Sequence, residues 1–158
     1  MANQGKYFLT KEGKARVERE FQELSRLKDF KTKGESPRIF HSEDINPEFL
    51  SFQEDLELLD ARLVELDNIL KNVQIIAPPA KDRQGVVDLG ARVVLEVDGQ
   101  SDEFEIVGSL EANPIAGKIS NECPVGRSLM HHKVGDEIVV GSNPQIVYRI
   151  KAIKYSHN

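Results

Sequence analysis

Tryptophan is absent from this 158-residue chain, and aromatic residues make up only 6% of it. That shortage argues against a large aromatic-lined ligand pocket. The single cysteine, Cys123, rules out an internal disulfide framework and cannot by itself form a zinc knuckle. Four histidines, His41, His131, His132 and His157, show no helical metal-ligand spacing and read as exposed loop residues. No run approaches the ~20 apolar residues of a membrane span, and the opening MANQGKYFLTKEG has no apolar signal region. These absences predict a cytoplasmic protein with no membrane partner. A net charge of −5 argues against simple binding to a nucleic-acid backbone. Charged residues at 30% and hydrophobic ones at 39% describe a soluble chain, lean in core material, with room for one domain or two small ones.

What the chain does have is a long ladder. Phe49, Phe52, Leu56, Leu59, Leu63, Leu66, Leu70 and Val73 recur at steps of three and four. This is the narrow seam that one helix of a coiled coil presents to a single partner helix. Asn46-Pro47-Glu48 supplies an N-cap, a proline at the first helical position and an early acid. A helix from Pro47 to Gln74 would be about 42 Å long. An earlier helix is expected after Thr10, with Glu12 in its first turn and Val17, Phe21, Leu24 and Leu27 as its stripe. Gly34 and Ser36-Pro37 break that pattern, so residues of about 31–46 form the tip of an antiparallel hairpin. The two arms differ in sign. Residues 6–38 carry ten Lys/Arg against six Asp/Glu, whereas residues 39–76 carry two against nine. Either the arms complement each other across the seam, or the basic arm meets a polyanion while the acidic arm stays clear.

Ala77-Pro78-Pro79-Ala80 is a stiff linker that separates residues 1–76 from a second domain, with the linker taken as 77–84 and the domain as 85–158. Beyond it the period changes to two. Arg92–Val97 and Glu103–Val107 flank an Asp98-Gly99 hairpin turn, and Glu137–Val140 and Ile146–Ile150 flank Gly141-Ser142-Asn143-Pro144. A short helix is expected at Val125–Met130. The fold class is therefore α+β: an N-terminal coiled-coil hairpin and a small, mostly antiparallel C-terminal sheet with one short helix.

The chain resembles the bacterial GreA/GreB transcript cleavage factors over nearly its whole length. The resemblance rests on Tyr7-Phe8-Leu9-Thr10…Gly13, on Leu70–Ile76, and above all on the second domain. There Ile106-Val107-Gly108-Ser109…Glu111-Ala112 leads into Gly117–Met130 and then Val134-Gly135-Asp136. The family usually has Ser-Pro where this chain has Cys123-Pro124. The resemblance implies an FKBP-like C-terminal domain that grips the rim of the secondary channel of bacterial RNA polymerase, here through Ser120, Cys123, Pro124 and Arg127. It also implies a hairpin inserted in that channel, where Lys28, Lys31, Lys33 and Arg38 meet the RNA 3′ segment. The resemblance further implies no cofactor in the free factor, and tip acids that share a Mg²⁺ with the polymerase, which then hydrolyses its own backtracked RNA. A monomer that stimulates an enzyme, without being one, is expected.

The tip departs from the family pattern. That motif typically reads Gly-Asp-Leu-x-Glu-Asn-Ala-Glu-Tyr, and counting back from Asn46-Pro47-Glu48-Phe49 places its two functional acids on Ser42 and Ile45. Glu43 and Asp44 lie in the same tip, displaced in register, and are the candidate catalytic and Mg²⁺-binding acids. The alternative is that they are solvated acids ahead of a helix N-terminus, and that the chain occupies the channel without promoting cleavage. An FKBP-like prolyl isomerase is an alternative of another class. Only Phe104, Tyr148 and Tyr155 supply aromatics for its apolar proline pocket.

Overall fold

A computed structural model describes residues 5–34 and 47–156. By contact the chain divides into two units, Lys14–Asn72 and the combination of Met1–Gly13 with Val73–Asn158. The first residues thus cluster with the C-terminal half, whereas the sequence pattern groups them with the hairpin. β1 (Tyr7–Leu9) is the reason: it pairs in parallel with β2 (Val73–Ile75), Tyr7 opposite Val73 and Leu9 opposite Ile75. Ile76 N–H closes this small sheet on the Leu9 carbonyl at 2.8 Å.

The Lys14–Asn72 unit holds most of α1 (Lys11–Lys33) and all of α2 (Pro47–Lys71). Every seam residue from Phe49 to Leu70 is buried or half-buried, with Leu59 and Leu66 fully inside. Ile69 is buried as well, so the apolar face is broader at this end than a strict seam. The helices run antiparallel, as the order of their cross-links requires: Arg62 pairs with Glu20, Lys28 with Asp60 and Lys31 with Asp55. α2 stops at Lys71, three residues short of the expected Gln74. Val73 and Ile75 are β-branched and find a backbone ladder on β1, which a helix could not use.

On α1 the stripe also differs from its expected course. Val17, Phe21 and Leu24 are half-buried, but Leu27 is 42% exposed, while Lys28 is half-buried. The ammonium groups of Lys28 and Lys31 reach Asp60 at 2.5 Å and Asp55 at 3.3 Å. The complementary charge of the two arms is therefore visible as ion pairs. Being largely exposed, each adds little stability; together they favour one antiparallel register.

The C-terminal sheet has the order β5-β4-β3-β7-β6, with β3 Ala91–Val97, β4 Gln100–Val107, β5 Lys118–Ser120, β6 Glu137–Val140 and β7 Ile146–Tyr155. All its pairings are antiparallel except β4 with β5. The β3–β4 turn uses Asp98 at φ 50° and Gly99 at φ 79°, the two positive values that a type I′ hairpin needs. Alternation on β3 sends Ala91, Val93 and Leu95 inward, where they join Val87, Ile106, Ile119, Ile138 and Ile150. α3 (Pro124–Leu129) covers this core with Leu129, which is fully buried. Phe104, Tyr148 and Tyr155 pack against the same cluster. Their use as core leaves little aromatic material for a proline pocket.

Candidate functional site

β4 and β5 pair in parallel, with Val107 opposite Ser120, and this places the segment after β5 beside the turn after β4. Asn121 N–H extends the pairing to the Val107 carbonyl at 3.0 Å. The chain then turns sharply, because Cys123 N–H bonds back to the Ser120 carbonyl at 3.2 Å. Cys123 is the N-cap of α3: its Sγ accepts from Gly126 N–H at 3.3 Å. Sulfur is a weaker acceptor than a serine hydroxyl, so the cap is retained in geometry but diminished in strength. Pro124 follows at the first helical position, where its missing N–H removes no bond.

The four residues expected to bind a partner thus lie together on one turn and one short helix. Pro124 and Arg127 are exposed and Cys123 is half-buried. Ser120 is only 8% exposed. Its hydroxyl accepts from Glu122 N–H at 3.0 Å and lies 3.1 Å from Ser109 Oγ. Arg127 folds back, with Nη2 donating to the Glu122 carbonyl at 3.0 Å. Ser109 and Glu122 therefore belong to the site although sequence reasoning gave them no part. Ser109 stood within a recognised run, but nothing in the run tells that its hydroxyl meets residues 120 and 122.

Next to this turn, Glu111 is buried. It accepts from Thr10 N–H and from Thr10 Oγ1, both at 2.7 Å, and Thr10 Oγ1 in turn accepts from Gly13 N–H at 3.0 Å. Thr10 is the expected N-cap of α1, backed by a carboxylate 101 residues away.

Along α1, Lys28 and Lys31 are engaged with Asp60 and Asp55, while Lys33 is exposed and forms no ion pair among the described residues. Arg62 is held between Glu20 and Glu65. Its hydrogen bonds to them, Glu20 first, push its guanidinium pKa further above an already high value. Arg38, Ser42, Glu43, Asp44 and Ile45 lie outside the described residues. Among the described residues no group of three or more His, Cys, Asp and Glu could hold a metal ion. His132 Nδ1 contacts Asp136, whose carboxyl is held below the usual range by Lys133 N–H and then by His132. No helix among the described residues is long and apolar enough to cross a membrane.

This geometry sits inside a stretch with known relatives. Residues 81–155 match the family described as "Transcription elongation factor, GreA/GreB, C-term". A transcription elongation factor GreA of Geobacillus kaustophilus is 37% identical, over 98% of this chain and 100% of its own length. The chain belongs to the GreA/GreB family. A GreA of Clostridium acetobutylicum is also 37% identical, again over 98% of this chain and the whole of the relative. Among solved structures, GreA factor homolog 1 (Gfh1) of Thermus thermophilus is 25% identical over 95% of this chain and 99% of its own, with a TM-score of 0.41. Membership in the GreA/GreB family rests on the sequence relatives. They make this a chain of the transcription elongation factor class, and the β5–α3 turn lies within the matched C-terminal region.

Proposed function

We propose that the chain binds bacterial RNA polymerase through the β5–α3 turn and inserts its helical hairpin in the secondary channel. The observation that carries this reading is the turn itself. Ser120, Cys123, Pro124 and Arg127 converge there, with Pro124 and Arg127 facing solvent, in the region that matches the family. Lys33, at the end of α1, attracts phosphates of the RNA 3′ segment together with Arg38, and Lys28 and Lys31 exchange Asp60 and Asp55 for it. Glu43 and Asp44 would hold a Mg²⁺ shared with the polymerase, where the ion would activate water for cleavage of the backtracked RNA.

A stalled, backtracked elongation complex with added factor tests this. The expected products are shortened RNAs that resume elongation, and Glu43→Ala/Asp44→Ala loses the stimulation while binding persists. A second reading has one observation in its favour: Ser42 and Ile45 stand where the family carries acids, so the factor would bind without cleaving. Binding without shortened RNA at ample Mg²⁺ selects that reading. For the rim contact, Pro124→Ala with Arg127→Glu is expected to weaken polymerase binding about tenfold or more; unchanged affinity would remove this surface from the proposal.

A further inference from the structure

The turn after β5 is held by a closed circuit of hydrogen bonds. Ser109 Oγ donates to Glu122 Oε2 at 2.5 Å. A hydroxyl has one proton, so in the 3.1 Å contact between the two serines Ser120 must donate and Ser109 accept. Ser120 Oγ in turn accepts from Glu122 N–H at 3.0 Å. The circuit runs from the backbone of Glu122, through two hydroxyls, to its own side chain. Both the backbone and the carboxylate of that residue are thereby fixed. Two consequences follow along the chain. The Glu122 carbonyl is aimed at Arg127 Nη2, 3.0 Å away, and the next residue, Cys123, is set in the extended conformation that caps α3.

We propose that Ser109 and Ser120 are positioning residues for polymerase binding. They hold the turn in its binding shape before the partner arrives, so that ordering it costs nothing at the moment of contact. The inference rests on the polymerase-binding reading of this surface and adds residues that act through others. Ser109 comes from the separate short turn Ser109–Glu111 and joins the site only through its hydroxyl.

The experiment measures the affinity of the full-length factor for core RNA polymerase alongside its melting temperature. Ser109→Ala is expected to weaken binding roughly three- to tenfold, the range for one lost hydrogen bond and a loosened turn. Its Tm should stay within about 2 °C of wild type, because Ser109 is exposed. Ser109→Thr keeps the hydroxyl and should restore affinity. Ser109→Ala/Ser120→Ala should lose little more than the worse single variant, since both break one circuit. Amide exchange at Glu122 should quicken in Ser109→Ala. Wild-type binding by Ser109→Ala, or a loss of affinity that tracks Tm and is not rescued by threonine, overturns the proposal alone. Failure of the wild-type factor to bind polymerase overturns it together with the reading it rests on.

Discussion

Gly108→Ala is expected to lower the melting temperature by roughly 10 °C, corresponding to about 3 kcal/mol. Gly108 has φ −72° and ψ 163°, an extended conformation that alanine adopts without strain. The cost is therefore one of contact alone. A Cβ at this position would stand 2.1 Å from the Phe8 carbonyl oxygen and 3.1 Å from its carbon. Those are backbone atoms, so no rotamer change relieves the overlap, and β1 itself must retreat by about an ångström to reach ordinary contact. β1 has only three residues and a single partner strand, so it has little to hold it against such a push. Thermal unfolding followed by circular dichroism gives the main result. Faster proteolysis near Tyr7–Leu9 should accompany it. Phe8→Ala in the same background should not rescue, because the clash is with the carbonyl. A Tm within 2 °C of wild type for Gly108→Ala would refute the close approach.

Local signals in this chain were readable, and non-local ones were not. Thr10 before α1, Pro47 at the head of α2 and Asp98-Gly99 between β3 and β4 each act through neighbours within four residues, and each stands where its chemistry predicts. The ladder from Phe49 to Leu70 is likewise a local repeat. Val73 continued that repeat in sequence but is a strand residue, because its partner Tyr7 precedes α1 and is remote from it in sequence. Lys28 was readable as a charge, but its pairing with Asp60 was not, because it depends on the register of two helices. The site divides in the same way. Cys123, Pro124 and Arg127 are neighbours in sequence, whereas Ser109 reaches Ser120 and Glu122 only because β4 and β5 lie side by side. The burial of Ser120 was equally hidden, because it depends on the strands and the turn that close around it.

Glu111 offers the sharper test of such a non-local bond, through a reversal of sign. Glu111→Ala removes the acceptor for Thr10 N–H and Thr10 Oγ1 and leaves a hole at a buried position. A loss of about 2–4 kcal/mol is expected from the unpaired donor and the cavity together. Gly13→Ala should be similarly damaging in the wild-type background. Its Cβ would lie 2.2 Å from Glu111 Oε1 and 2.4 Å from the carboxyl carbon, so the carboxylate must leave Thr10 to make room. With Glu111 already replaced by alanine, that obstacle is gone. Alanine is better than glycine in a helix by about 1 kcal/mol, and Gly13 stands in the first turn of α1. Gly13→Ala should then be neutral or stabilising, and the double variant should be no less stable than Glu111→Ala. Chemical denaturation of the wild type, the two single variants and the double variant completes the cycle. Additive losses would mean that Gly13 and Glu111 do not share the space the structure gives them. A coupling of about 2 kcal/mol or more would establish that a carboxylate from the C-terminal half backs the cap at Thr10, and that glycine at position 13 is required by this carboxylate and not by the helix.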